Sequence, residues 1–158
     1  MTYIIRRTLP LVFAFLIIPT ENFAQITNYQ FEDLEKLQQA EKRPVLVFIH
    51  TDWCKYCLTM DNTTFKNREI IELINNHFYF VKFNAEERRS IKFKKSVFKF
   101  KPSGVNTGVH ELAEQLGTVD RKISYPTLCF LNYNDEVIFQ YPQYINPKEL
   151  KNTLNLLM

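Results

Sequence analysis

The sequence predicts an α/β fold, a mixed β-sheet flanked by helices, and three observations carry that expectation. A continuous apolar, β-branched-rich run at 45–49 has the pattern of a strand buried on both faces, and further apolar strand segments stand at 78–83 and 127–131. Amphipathic helical patterns alternate with them, most plainly over 31–42 and from Pro147 onward. Hydrophobic residues are 46% of a chain of 158, enough to build the core of one domain and little else.

Taken in order, Phe31, Leu34 and Leu37 share one helix face among charged neighbours, and Pro44 punctuates the segment. The strand at 45–49 runs directly into His50-Thr51-Asp52-Trp53-Cys54, and a helical stretch follows as far as Met60. Asn67 is placed to cap a second helix over 68–76. After the strand at 78–83, residues 90–101 read as an inserted β-hairpin pairing Phe93 with Phe98 and Ile91 with Phe100. That pairing turns Lys92, Lys94 and Lys99 to the other face, read as solvated, with a charged docking patch as the alternative. Residues 109–116 read as a short helix ended by Gly117. Pro126 opens the strand at 127–131, a position where a missing amide is tolerated. Asn134-Asp135 turns the chain into an apolar segment at 137–139. Pro147 behind Asn146 opens the last helix, striped by Leu150, Leu154 and Leu157. No repeat, low-complexity stretch or linker interrupts 25–158, which is therefore read as one domain.

Residues 1–24 read differently. Arg6-Arg7 is followed by an apolar run over 9–18 broken only by Pro10, then a polar stretch ending in Asn22-Phe23-Ala24. That order is expected of a secretory signal peptide cleaved after Ala24. The apolar run is shorter than the roughly 20 residues a spanning helix needs; an uncleaved N-terminal membrane anchor is the alternative. Export, to the periplasm, is the expected localisation. A net charge of +3 is too small to imply a nucleic-acid partner, and three glycines are too few for phosphate-cradling loops.

Three cysteines cannot all pair within the chain, so a framework of structural bridges is not on offer. Cys54 and Cys57 stand where a buried strand meets a helix. A helix N-terminus carries unpaired N–H groups and a partial positive charge, which favour thiolate over thiol. Two intervening residues bring the two sulfurs within bonding reach, the first cysteine being the exposed one and the second lying a turn deeper. The pair could instead be half of a zinc site completed by Cys129 with His50, His77 or His110, although no second closely spaced Cys/His pair exists. Haem attachment requires His after the second cysteine, where Leu58 stands. Cys129, inside an apolar run, reads as a buried core thiol, and the three histidines as structurally ordinary. No metal is expected.

The segment from Val45 through Trp53-Cys54-Lys55-Tyr56-Cys57 resembles the active-site segment of thioredoxins. Tyr125-Pro126-Thr127 is similar to their cis-proline loop, and Val81-Lys82-Phe83-Asn84 to the strand after the active-site helix. Thr64-Phe65 before the Asn67-capped helix is closer to small exported thioredoxin-like proteins and the C-terminal periplasmic domain of DsbD-type reductases. The resemblance spans 30–158 and implies a thioredoxin-like fold. It implies Cys54 as nucleophile, Cys57 as resolving thiol, Trp53 as a shield, and a cis Pro126 that leaves the Tyr125 backbone available to a substrate strand. Asp52, Lys55, Tyr56 and Thr127 are the remaining supporting residues. The family places a buried Asp six residues before the nucleophile, and this chain has Phe48 there. Proton transfer then falls to water, Asp52 or Glu86.

The function expected is reduction of disulfides in other exported proteins by an exported monomeric thiol–disulfide oxidoreductase. Its electrons would come from a membrane-embedded thiol carrier, and it would need no cofactor beyond the Cys54–Cys57 disulfide itself. The alternative is a non-catalytic binding module in which Cys54–Cys57 is a structural bridge.

Overall fold

Strand β1 (Val45–His50) forms the axis of the computed structural model, which describes residues 25–158. The signal peptide read over 1–24 lies outside the described residues. Before β1 comes helix α1 (Phe31–Ala40), and after it α2 (Lys55–Asn62), a single 3-10 turn (Thr64–Lys66) and α3 (Arg68–His77). Strand β2 (Tyr79–Asn84) then lies parallel to β1, with Phe48 opposite Lys82 and His50 opposite Asn84. On the outer edge of β2, Asn28 makes a parallel bridge to Phe80.

The inserted segment holds two small hairpins rather than one. Strands β3 (Ile91–Phe93) and β4 (Ser96–Phe98) pair Ile91 with Phe98 and Phe93 with Ser96, two residues tighter than the register read from sequence. Phe100 belongs to the next ladder, β5 (Phe100–Pro102) with β6 (Gly108–His110), where it faces His110. The first turn is Lys94-Lys95, with Lys94 at φ 56°. Lys94 is not simply solvated: its Nζ donates to the Asn134 carbonyl at 2.8 Å and faces the Asp135 carboxylate at 3.5 Å, which anchors the hairpin to a second turn. Phe93 meets Phe31 of α1 with ring centroids 5.2 Å apart. At Gly108 any Cβ would collide with the Phe100 ring and the Lys101 carbonyl, so the β5–β6 approach requires glycine there.

Helix α4 (Glu111–Gly117) starts later than the sequence suggests, because 108–110 are taken by β6. His110 is its N-cap: Nδ1 accepts from the Leu112 amide at 3.2 Å, and Nε2 lies 3.1 Å from the Arg89 carbonyl. A carbonyl only accepts and an amide only donates, so the buried ring is the neutral Nε2–H tautomer. Strands β7 (Thr118–Val119) and β8 (Lys122–Ile123) form a short hairpin before β9 (Thr127–Leu131) and β10 (Val137–Tyr141). Helix α5 (Pro147–Leu157) is opened by the capping box of Asn146 and Glu149.

The four-stranded sheet runs β10-β9-β1-β2, with β9 antiparallel to both β1 and β10. Alternation along the strands splits the core in two. Val45, Val47, Ile49, Cys129 and Leu131 pack with Phe31, Leu34, Leu112 and Leu116 on one face. Leu46, Phe48, Leu128 and Phe130 pack with Met60, Ile70, Ile74, Leu150 and Leu154 on the other. Cys54 and Cys57 belong to the second set. Among the described residues no helix is long and apolar enough to cross a membrane.

Candidate active site

The last residues of β1 aim the chain at the head of α2, and the two cysteines sit at that junction. Cys54 and Cys57 are disulfide-bonded, with Cα atoms 5.2 Å apart. Cys54 is the N-cap of α2, and its Sγ accepts a hydrogen bond from the Cys57 amide at 3.1 Å. No acidic residue occupies the first turn, so the field of the helix end is undiminished there. Cys54 is the more accessible of the two residues, but only just. It is 5% exposed and Cys57 1%, so the expectation of an open first cysteine is corrected.

Two aromatic pairs involve the residues next to Cys54 and Cys57 in the chain. Trp53, 66% exposed, stands edge-on to Tyr125 with centroids 5.9 Å apart, and its Nε1 donates to the Glu86 carboxylate at 3.2 Å. Tyr56 projects beside Tyr144, centroids 6.4 Å apart. Tyr125-Pro126 is a cis peptide, and Tyr125 packs against the cluster that holds the cysteines. The Tyr125 hydroxyl is buried without a hydrogen-bond partner among the described residues, and burial pushes its pKa up to about 12. Thr127 is buried and donates from Oγ1 to the Ser124 carbonyl at 2.7 Å, bracing the loop before β9. Lys55 and Asp52 are exposed beside the cysteines in sequence.

Thus the structure brings Trp53, Tyr125, Cys54 and Cys57 together, with Pro126 and Thr127 forming the loop alongside. Cys129 stays apart. It lies on the opposite sheet face, paired with Val47, and burial pushes its thiol up to about 12. It therefore cannot join Cys54 and Cys57 around a metal, and both His110 ring nitrogens are engaged elsewhere. Two neighbours were not legible as such in the sequence. Tyr144 carries no local signal. Glu86 follows the end of β2, and its approach to Trp53 emerges only once β1 and β2 are known to be adjacent.

A dithiol pair that caps a helix after a buried strand, beside a cis X–Pro loop, defines a protein built for thiol–disulfide exchange. Residues 30–157 match the family model of the thioredoxin-like domain, and the chain belongs to that family. Among solved structures it is similar to the DsbH oxidoreductase, at 13% identity and TM-score 0.59 over 99% of this chain and 94% of that one. A thioredoxin from Thermus thermophilus is similar at 20% identity and TM-score 0.59, covering 84% and 86% of the two chains. The C-terminal domain of Neisseria meningitidis DsbD, in its reduced form, is similar at 10% identity and TM-score 0.53, covering 80% and 92%. Identities this low speak to the fold alone. No curated protein matches the chain. Family, motif and bonded cysteines together support dithiol–disulfide exchange at Cys54–Cys57.

Proposed function

We propose that this protein is an exported reductase of disulfides in other exported proteins, with Cys54 as nucleophile and Cys57 as resolving thiol. The observation that carries the assignment of roles is the hydrogen bond from the Cys57 amide to Cys54 Sγ at the head of α2. Once the bond is reduced, that amide and the helix end favour a Cys54 thiolate. The thiolate attacks a substrate disulfide, one substrate sulfur leaves as thiolate, and Cys54 is held in a mixed disulfide. Cys57, deprotonated, then attacks Cys54 Sγ and the second substrate sulfur leaves. Two electrons pass to substrate, and the Cys54–Cys57 disulfide is restored.

The supporting residues take their roles from position. Trp53 and Tyr125 roof the sulfurs, and the Tyr125 backbone offers an edge to a substrate strand. Exposed Asp52, Lys55 and Tyr56 meet the partner, and Thr127 braces the loop. The disulfide is itself the two-electron carrier, and a membrane-embedded thiol carrier would recharge it. The signal-peptide pattern of residues 1–24 supports export to the periplasm. The test is a pair of variants. Cys54→Ser should abolish turnover of a disulfide substrate, and Cys57→Ser should accumulate a mixed disulfide visible by mass; turnover surviving Cys54→Ser would overturn the assignment.

A second reading, a binding module with a structural bridge, draws on the near-complete burial of both sulfurs. A structural bridge should resist dithiothreitol, and its loss should cost about 2–5 kcal/mol. An exchanging pair should reduce readily with little loss of fold.

A further inference from the structure

Exchange leaves one demand unmet by the residues described so far. Cys57 must lose a proton before it can resolve the mixed disulfide, and its surroundings are apolar: Phe48, Met60, Phe65 and Leu128 belong to the same cluster. The polar side chain that continues this face of β1 is His50, two residues beyond Phe48. Its ring stacks on the Phe48 ring, centroids 5.5 Å apart and planes 22° from parallel. His50 is only partly buried, and it lines a cavity of about 250 Å³ with Asn84, Lys82, Glu87 and Arg89. Phe31, Val81, Phe83 and Ile91 also line it, and the space is large enough for several waters held by its polar side.

From this placement we infer that His50 is the proton acceptor for Cys57, taking the proton through water and returning it to the departing substrate thiolate. The inference rests on the exchange reading above. Cys57–SH gives its proton to the imidazole, the Cys57 thiolate attacks Cys54 Sγ, and the bond from Cys54 to substrate breaks. The substrate leaves as thiolate and is protonated by the imidazolium, so protons and electrons balance.

The charges facing His50 come from every side. Lys82 of β2 and Asp61 of α2 form an ion pair at 2.6 Å, Asp52 follows in the loop, and Glu87 and Arg89 lie across the cavity. Burial, reinforced by Lys82, holds the imidazole below its ordinary range, while Asp61 and Asp52 pull the other way. The ring is then neutral and able to accept at neutral pH. Asp61 is suited to steady the imidazolium once formed.

The test uses 5,5′-dithiobis(2-nitrobenzoate) on the reduced protein. Cys54 attack releases a first chromophore and Cys57 resolution a second. In His50→Gln the first phase should stay within about twofold while the second slows by about tenfold or more at pH 7. The deficit should close as pH rises and Cys57 ionises unaided. An unchanged second phase, or a deficit equal at all pH values, would overturn the inference while leaving exchange intact. A first phase absent from the unsubstituted protein would instead overturn the exchange reading. A second measurement needs no variant: the His50 imidazole titration by NMR in the dithiol and disulfide forms. A difference in midpoint of about 0.5 pH unit or more is expected, and identical midpoints would overturn the coupling.

Discussion

Trp53 donates its indole N–H to the Glu86 carboxylate 3.2 Å away, and this one contact ties the loop after β1 to the residues that follow β2. It fixes the ring of the residue that immediately precedes Cys54. Because Trp53 is the single tryptophan, its fluorescence reports on that ring directly. Glu86→Ala should red-shift the emission and speed dithiothreitol reduction of Cys54–Cys57 by a few-fold, the effect of losing about 1 kcal/mol of restraint. Stopped-flow fluorescence reads both; an unchanged reduction rate would mean that the roof does not govern access.

Cys129 is separated from the active pair by the sheet itself. Cys129→Ala should leave exchange kinetics unchanged and lower stability by about 1–2 kcal/mol, measured by urea unfolding. In the native protein its thiol should react with Ellman-type reagents only on unfolding, since burial raises its pKa to about 12.

His110 sets a dependence on pH. Burial depresses its pKa below the ordinary 6.5, with the bond to the Arg89 carbonyl opposing. As pH falls below about 6.5 the unfolded chain takes up a proton that the folded ring still refuses. The stability from this group is therefore complete above that pH and is lost as pH falls through the depressed folded value. His50, depressed in the same direction, adds a second component. Urea midpoints measured from pH 7.5 to 5 should decline, and His110→Asn, which keeps a capping acceptor, should flatten part of the decline.

Gly108→Ala should cost about 1–3 kcal/mol by overpacking against Phe100 and Lys101. Thermal unfolding checks it; a neutral substitution would mean that the β5–β6 ladder spreads at little cost.

The main sheet was readable in advance because runs such as Val45–Ile49 declare burial on both faces without help from distant residues. The caps at Asn67 and Asn146 were readable for the same local reason. The hairpin register was not. A shift of two residues keeps Ile91, Phe93 and Phe98 on one face, so the apolar pattern cannot choose between registers. The choice falls to the Lys94 turn, which has no glycine or asparagine signal and is held from outside by Asn134 and Asp135. At the site, Cys54, Cys57, Trp53 and Tyr125-Pro126 announced themselves by spacing and resemblance. His50 did not, because its surroundings come from Lys82 and Asp61 on separate elements. Glu86, an alternative proton acceptor by sequence, makes its contact with the Trp53 indole.

The measurement that bears most directly on reductive exchange at Cys54–Cys57 is the equilibrium of that couple with glutathione, followed by Trp53 fluorescence. The expected result is reversible exchange with a potential of about −250 mV or lower, at the reducing end occupied by thioredoxins. A potential of about −150 mV or higher would contradict it, placing the protein among oxidants and isomerases and reversing the direction of electron flow.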